Sequence, residues 1–217
     1  MKTNTIIGVL FTPILLVLIF TGCEKDEEII PEDQFIDSRD GKTYKTVIIG
    51  SQTWMAENLN YDAGSGCWIY DNNPSYAEIY GRLYDWETAC NVCPDGWHLP
   101  SRDDWKELKN FLGGDLGGKL KEEGTIHWNS PNTGATNESG FTALPGGRGW
   151  YSYTTDNDKF VGMGNRAYFW TTWELSTFSA IARELSYDHD GASNNSNEKF
   201  YGHSVRCVKD SVRTVDD

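Results

Sequence analysis

The feature that most constrains this chain is a short apolar segment at its N-terminus that ends at a cysteine. A basic start containing Lys2 precedes the apolar residues 6–20, which Pro13 interrupts, and Thr21, Gly22 and Cys23 follow. A basic start, a short apolar run and small residues before a cleavage point are typical of an export signal, and the run is shorter than the ~20 residues that a bilayer-spanning helix needs. We therefore expect residues 1–22 to be a signal peptide and the rest of the chain to fold where disulfides are stable.

The residues around Cys23 resemble the lipobox of bacterial lipoproteins, in which the cysteine is acylated and the signal is removed just before it. Several acyl chains on Cys23 would anchor the protein stably in a membrane. The acidic run at residues 24–28 resembles the export tag of Bacteroidota lipoproteins, which implies an outer-membrane location facing the cell exterior. Two simpler interpretations remain open: an ordinary cleaved signal with a chance cysteine, and a solvated linker.

The charge of the chain excludes one class of function, and its aromatic content favours another. The formal net charge is −13 and no Lys/Arg cluster occurs, so nucleic-acid binding is excluded. Nine Trp, eleven Tyr and nine Phe with 22 Gly are typical of short strands, many loops and aromatic core anchors. Flat exposed rings would also suit sugars, although most of these rings are expected in the core.

Residue patterns predict one α+β domain over residues 37–210, between an acidic tether (23–36) and a flexible tail (211–217). β-branched residues predict strands at 43–49 and 52–56, and residues 83–89 suggest a short helix. A second helix is predicted to start after Ser101, with apolar residues at helical spacing up to Leu112 and Gly113 ending it. Later strands are predicted at residues 140–144, 159–163, 167–173, 180–187 and 203–208. Two early helices followed by strands predict an α+β fold with a small, twisted, mostly antiparallel sheet.

Four cysteines remain in this domain: Cys67, Cys90, Cys93 and Cys207. An even number in an exported domain predicts two disulfides, and four cysteines allow three pairings. Cys90 and Cys93 have the spacing of a redox motif or half a zinc site. However, neither a second cysteine pair nor a βαβ setting accompanies them, so structural disulfides are favoured.

Six blocks of this sequence resemble the Fibrobacter succinogenes major paralogous domain, a family common on surface lipoproteins of Bacteroidota. The resemblance covers residues 37–209, and its most specific blocks are GWHLPS (96–101) and SVRC (204–207). The others lie at residues 50–61, 80–86, 143–148 and 169–174. The family resemblance implies a C-type-lectin-like fold, with two helices, a small twisted sheet and long variable loops.

The same resemblance implies a disulfide from Cys93 to Cys207. Many relatives carry a further cysteine where this chain has Ala77, so Cys67 is left to pair with Cys90. The family blocks also have structural explanations. Trp54, Trp86 and Trp97 are expected in the core, and Arg82 and Arg206 are expected to pair with carboxylates such as Glu57.

No motif in the chain predicts catalysis or a cofactor. The Glu-Pro-Asn, Gln-Pro-Asp and Trp-Asn-Asp motifs of calcium-dependent lectins are missing from the sequence, so the fold alone does not imply calcium-dependent sugar binding. Asp188 and Asp190, with Asn194, Asn195 and Asn197 in the same segment, are weak candidate ligands for calcium. No spacing singles out a carboxylate pair or a nucleophile with its base, and we expect a protein that is not an enzyme.

Loops between the late strands are the expected ligand-binding surface. They contain aromatic residues among small polar ones: Trp150, Tyr151, Tyr153, Tyr187, His189 and Tyr201. We expect this surface to bind a glycan or cell-wall polysaccharide. A protein partner in adhesion or scaffolding is the alternative, and an enzyme of unknown type is a third hypothesis.

Overall fold

The computed structural model describes residues 33–114, 116–152 and 157–211. The predicted signal peptide, Cys23, most of the tether, Tyr153 and the end of the tail lie outside the described residues. Within them, no helix is long and apolar enough to cross a membrane.

The described chain contains four α-helices, two more than the sequence predicts: α1 (Pro74–Tyr80), α2 (Trp86–Ala89), α3 (Arg102–Leu112) and α4 (Leu116–Leu120). The predicted helix at residues 83–89 is wrong in its first half, because Leu83–Tyr84 form a strand. Asp85 explains the boundary, since its side chain accepts a hydrogen bond from the Thr88 N–H and caps α2.

Helix α3 confirms the sequence prediction at both ends. Ser101 and Asp104 form a reciprocal capping box at its start, and Gly113, with φ near 67°, ends it. Trp105 and Leu108 of this helix are buried in the core. Phe111, at another apolar position of the pattern, is 64% exposed.

A five-stranded sheet packs one side of the core, in the order β1-β2-β3-β13-β6. Its strands are β1 (Gln34–Ile36), β2 (Thr43–Ile49), β3 (Gln52–Met55), β6 (Trp97–His98) and β13 (Val208–Lys209), and neighbours are antiparallel. The predicted strands at residues 43–49 and 52–56 are confirmed. Strand β1 lies in the predicted tether, and Phe35 stacks on Trp97 at 4.5 Å, so ordered structure begins a few residues before residue 37.

A six-stranded sheet carries the late strands in the order β11-β10-β9-β7-β12, with β8 paired to β7. The strands are β7 (Gly146–Ser152), β8 (Asn157–Met163), β9 (Arg166–Glu174), β10 (Ser179–Ser186), β11 (Ala192–Glu198) and β12 (Tyr201–Gly202). All pairs are antiparallel except β7 with β9. Separately, β4 (Cys67–Trp68) pairs with β5 (Leu83–Tyr84).

The strand predictions for this half of the chain are partly right. Strands β8, β9 and β10 confirm three of them, within a few residues. Residues 140–144 hold only an isolated bridge at Ala143, and residues 203–208 are broken between two bridges and β13. Strand β11 was not predicted, because Asn and Ser dominate its sequence and disfavour strands. The chain is a mixed helix and sheet protein with mainly antiparallel strands, as the α+β prediction requires.

Two buried clusters form the core, and the disulfide lies in the second of them. Trp54, Trp105 and Phe141 meet in the first cluster, with Trp54 and Trp105 5.1 Å apart. The predicted disulfide between Cys93 and Cys207 is present and ties the segment before α3 to the residue preceding β13. Its sulfur atoms join segments 114 residues apart in sequence.

The predicted second disulfide, between Cys67 and Cys90, is absent from the structure, where both residues are free thiols. The Cys67 thiol lies 3.7 Å from Oδ1 of Asp62. Burial raises the pKa of both thiols, that of Cys90 to about 11.

Arg206 is buried but is not paired with Glu57, which corrects that expectation. It is 1% exposed, and its guanidinium donates to Oδ1 of Asn58 and to the carbonyls of Met55, Phe141 and Thr142. These acceptors let Arg206 join the 55–58 segment to the 141–142 segment. Arg82, by contrast, pairs with a carboxylate, Asp62, at 2.8 Å.

Candidate functional site

The register of the six-stranded sheet brings two of the predicted ligand-binding residues together. Tyr201 on β12 lies directly opposite Trp150 on β7, so both side chains point to the same face. Their ring centroids are 5.9 Å apart, and both rings are half-buried, with Tyr201 also packed against the second core cluster. Fifty residues of sequence separate them, so only the sheet makes them neighbours.

Two phenylalanines that sequence reasoning missed extend this aromatic surface. Phe200 packs edge-on against Tyr201 at 5.0 Å and is 41% exposed. Phe178, in the turn between β9 and β10, is 79% exposed, and its carbonyl accepts a hydrogen bond from the Lys199 N–H at 2.9 Å. We call Trp150, Tyr201 and Phe200 the aromatic row. Pattern analysis could have found Phe178 and Phe200, since each follows a break in strand alternation, but it could not assign their exposure.

An open cleft of about 420 Å³ lies between Phe178 and Phe200, at one end of the aromatic row. Its other walls come from Asp85, Glu87, Thr177, Glu198 and Lys199. Lys199 is held in place, because its ammonium pairs with Glu174 at 2.6 Å and lies 4.2 Å above the Trp86 ring. The cleft therefore combines exposed apolar rings with carboxylates that can accept hydrogen bonds.

Arg148 lies on the other side of the aromatic row. Its guanidinium carbon is 5.1 Å from the ring centre of Tyr201 and 5.3 Å from that of Tyr168. Its Nη1 donates to Oδ1 of Asn197 at 3.1 Å, although β7 and β11 are separated by two strands in the sheet order. A flat sheet would hold these strands about 14 Å apart, so the contact indicates that the sheet is curled here.

His203 is completely buried behind Arg148. Its ring stacks on Tyr168 at 5.0 Å and lies 4.3 Å from Trp170. Neither ring nitrogen has a hydrogen-bond partner among the described residues. Burial, and then the nearby charge of Arg148, lower the pKa of His203 to about 3, so the ring is neutral.

The remaining predicted ligand-binding residues lie away from the aromatic row, or their side chains are not among those that the structure describes. Tyr187 is half-buried and packs against the first core cluster. His189 is exposed in the turn between β10 and β11. The buried Lys121 stabilises this turn, because its ammonium donates hydrogen bonds to the carbonyls of Ser186 and His189, and also to that of Thr133. The side chain of Tyr151 is outside the description, as is Tyr153.

The weak calcium candidates are spread over a turn and a strand. Asp188 accepts a hydrogen bond from the Ser186 hydroxyl, and Asp190 lies 3.8 Å from the His189 ring. Asn194 and Asn195 are adjacent on β11 and therefore point to opposite faces. In the described part of the chain, no three His, Cys, Asp or Glu side chains cluster as a metal site would require.

A larger cleft, of about 540 Å³, lies between β2, α1 and the 140–144 segment. Lys42, Lys45, Glu57 and Glu78 line it, with Arg206 at its floor. The donors of Arg206 are already directed at protein acceptors, and the one ring in the lining, Tyr44, is buried. We therefore take the aromatic row and its cleft as the better candidate for ligand binding.

The fold and this surface define a loop-rich, disulfide-braced α+β domain with half-buried aromatic side chains on one sheet and exposed ones in the adjoining turns. The Fibrobacter succinogenes major domain family model matches residues 47–209, and the chain belongs to this family. Searches among curated proteins and among solved structures give no match.

Proposed function

We propose that this protein is a non-enzymatic binding module that recognises a glycan through the aromatic row and the adjoining cleft. The main support is that the rings of Trp150, Tyr201 and Phe200 contact one another in sequence, and that Phe200 and Phe178 are exposed beside the cleft. Burying apolar rings is favourable, so rings left exposed on a folded surface favour a binding role. Rings of this kind stack on the faces of sugars, and Asp85, Glu87 and Glu198 are suited to accept hydrogen bonds from sugar hydroxyls.

The proposal includes the architecture and the location that the sequence suggested. The small antiparallel sheets, the helix α3 and the disulfide that joins its start to the last strand support a C-type-lectin-like fold. The lipobox-like residues before Cys23 support lipid anchoring, with the domain displayed outside the outer membrane. In that setting the aromatic row would meet extracellular or cell-wall polysaccharides.

A glycan array tests this proposal directly. The purified chain, with its disulfide formed, is applied to plant, bacterial and host glycans, with calcium and with chelator. We expect specific binding that persists in chelator and falls at least tenfold in Phe200→Ala. Phe111→Ala is the matched control, because Phe111 is also an exposed phenylalanine but lies on α3. Equal loss in both variants, or a blank array, would contradict the proposal.

A protein partner is the second candidate, for adhesion or scaffolding. The observation that favours it is the apolar exposure of Phe178, which at 79% resembles an unburied interface anchor. A blank array, together with binding of a surface protein that Phe178→Ala abolishes and Phe111→Ala does not, would establish this alternative.

A further inference from the structure

Arg148 differs from Arg166 and Arg206, two other arginines of the late-strand half of the domain, in how its charge is satisfied. Arg166, on β9, pairs with Glu184 at 2.6 Å, and Arg206 donates to one side chain and three carbonyls. Among the side chains that the structure describes, no carboxylate lies within salt-bridge distance of Arg148, and its one hydrogen bond is to Asn197. Its Nε is buried without a partner. A guanidinium has five N–H donors, so Arg148 retains capacity for an acceptor that the described residues do not supply.

The setting of Arg148 fixes its position without neutralising it. The rings of Tyr168 and Tyr201 lie 5.3 and 5.1 Å from the guanidinium carbon, which holds its plane by cation–π contact. Behind it, His203 is 0% exposed with both ring nitrogens unpartnered, and being neutral it does not repel the arginine. Buried polar atoms normally have partners, so the unpartnered Nε of Arg148, on a half-buried cation, points to a ligand position.

A second cation lies on the same face beside the aromatic row. Lys159 on β8 is directly opposite Trp150, just as Tyr201 is on the other side of β7. Arg148 is two residues before Trp150 on the same strand and therefore shares its face. Lys159 is exposed, and its ammonium pairs with none of the carboxylates whose side chains the structure describes. Two cations thus flank Trp150 on a protein whose net charge is −13.

We propose that Arg148, assisted by Lys159, binds a carboxylate on the ligand, and that the glycan recognised by the aromatic row is one that contains uronic acid. This inference rests on the proposed function. The planar guanidinium matches a carboxylate in a two-bonded geometry, and such charge-assisted bonds are the strong ones. The sugar ring stacks on Trp150 and Tyr201 while its carboxylate reaches Arg148. The overall negative charge of the protein rejects polyanions elsewhere on its surface, which confines this recognition to one place.

The test uses pairs of glycans that differ only in charge. Oligomers of polygalacturonate, alginate and glucuronan are compared with their carboxyl-reduced forms, which keep the sugar ring and lose the carboxylate. For at least one pair we expect the acidic form to bind the wild-type chain at least tenfold more tightly. Arg148→Gln should remove this preference while retaining weak binding of the reduced form.

Two further variants keep the test decisive if Arg148→Gln fails to fold. Lys159→Gln changes an exposed side chain and should lower the affinity for the acidic form at least threefold. Arg166→Gln is the matched control, because its charge is already paired with Glu184, and it should retain the preference. Equal binding of acidic and reduced glycans, or an unchanged preference in both Arg148→Gln and Lys159→Gln, would overturn this inference and leave the proposed function standing. Failure of every glycan to bind would overturn both.

Discussion

Two buried polar side chains of this domain, Arg206 and His203, differ in whether they have hydrogen-bond partners. Arg206 is buried with its charge directed at Asn58 and three backbone carbonyls, so desolvation of the charge is offset by hydrogen bonds. His203 is buried as a neutral ring without partners. The first arrangement joins two segments of the core. The second leaves the domain sensitive to acid.

His203 should make the domain less stable at low pH. Its pKa is about 3 in the folded protein and near 6.5 when unfolded, so between these values the unfolded chain binds more protons and stability falls as the pH falls. Each pH unit in this window corresponds to about 1.4 kcal/mol. We expect the free energy of unfolding of the wild type to drop by about 2–3 kcal/mol more than that of His203→Phe between pH 7.5 and pH 4.5.

Urea unfolding of both proteins at the two pH values measures this difference. Other acid-sensitive groups are present in both proteins, so their effects on the free energy of unfolding cancel in the comparison. Asp37 is one of them: burial raises its pKa, but hydrogen bonds to Arg39 and the charge of Arg39 lower it further, so that the net shift is downward. Parallel pH profiles for wild type and variant would show that His203 does not control acid stability.

Residue-level prediction from the sequence was right for a core tryptophan and for the disulfide that the family resemblance implied. Trp54 is in the core and Cys93 bonds to Cys207, as expected. The partner of Arg206 was wrong, because backbone carbonyls replace a carboxylate and carbonyls leave no signal in a sequence. The exposure of Phe200 was missed for a similar reason, since aromatic residues are common in both cores and surfaces.

Among the elements, helix α3 was predictable because its signals are local. The Ser101 hydroxyl accepts from the Asp104 N–H at 3.2 Å, while the Asp104 carboxylate accepts from the Ser101 N–H at 2.7 Å. Both residues stand within four positions of each other in the sequence. Strand β11 was missed because Asn and Ser dominate it, although it pairs with the neighbouring strand β10. The strands β4, β5 and β12 have two residues each, too few to show an alternating pattern.

Loss of the α3 cap should destabilise the domain measurably. Ser101→Ala removes an acceptor from the first turn and is expected to lower the free energy of unfolding by about 1 kcal/mol. Ser75→Ala is the matched control, because Ser75 is exposed in the first turn of α1, where the cap is supplied by Asn73 instead. Urea unfolding of the two variants decides the point, and a shift of equal size in both would argue against a role for the cap.

For the whole molecule, the Cys93–Cys207 disulfide is the main covalent constraint in the described structure. It closes a loop with a sequence separation of 114, and a loop of that length corresponds to about 4–5 kcal/mol in the chain-entropy account of disulfides. Cys93→Ser should therefore lower the free energy of unfolding by an amount comparable to the total stability of many domains.

Denaturant unfolding under oxidising conditions checks this expectation. Cys90→Ser is the control, since Cys90 is an exposed free thiol, and its loss should change stability by less than about 0.5 kcal/mol. Equal stability of Cys93→Ser and Cys90→Ser would contradict the assigned role of the disulfide.

By itself the sequence determined the family, the mixed helix and sheet character, the capped helix α3 and the disulfide between Cys93 and Cys207. These depend on local patterns or on motifs specific enough to identify relatives. Only the tertiary structure decided that Trp150 meets Tyr201, that Arg148 reaches Asn197, and that Cys67 and Cys90 remain unbonded. Those outcomes depend on strand order, register and sheet curvature. All three arise from long-range pairing of backbone groups, which every residue except proline carries alike, so the side-chain sequence encodes them only weakly.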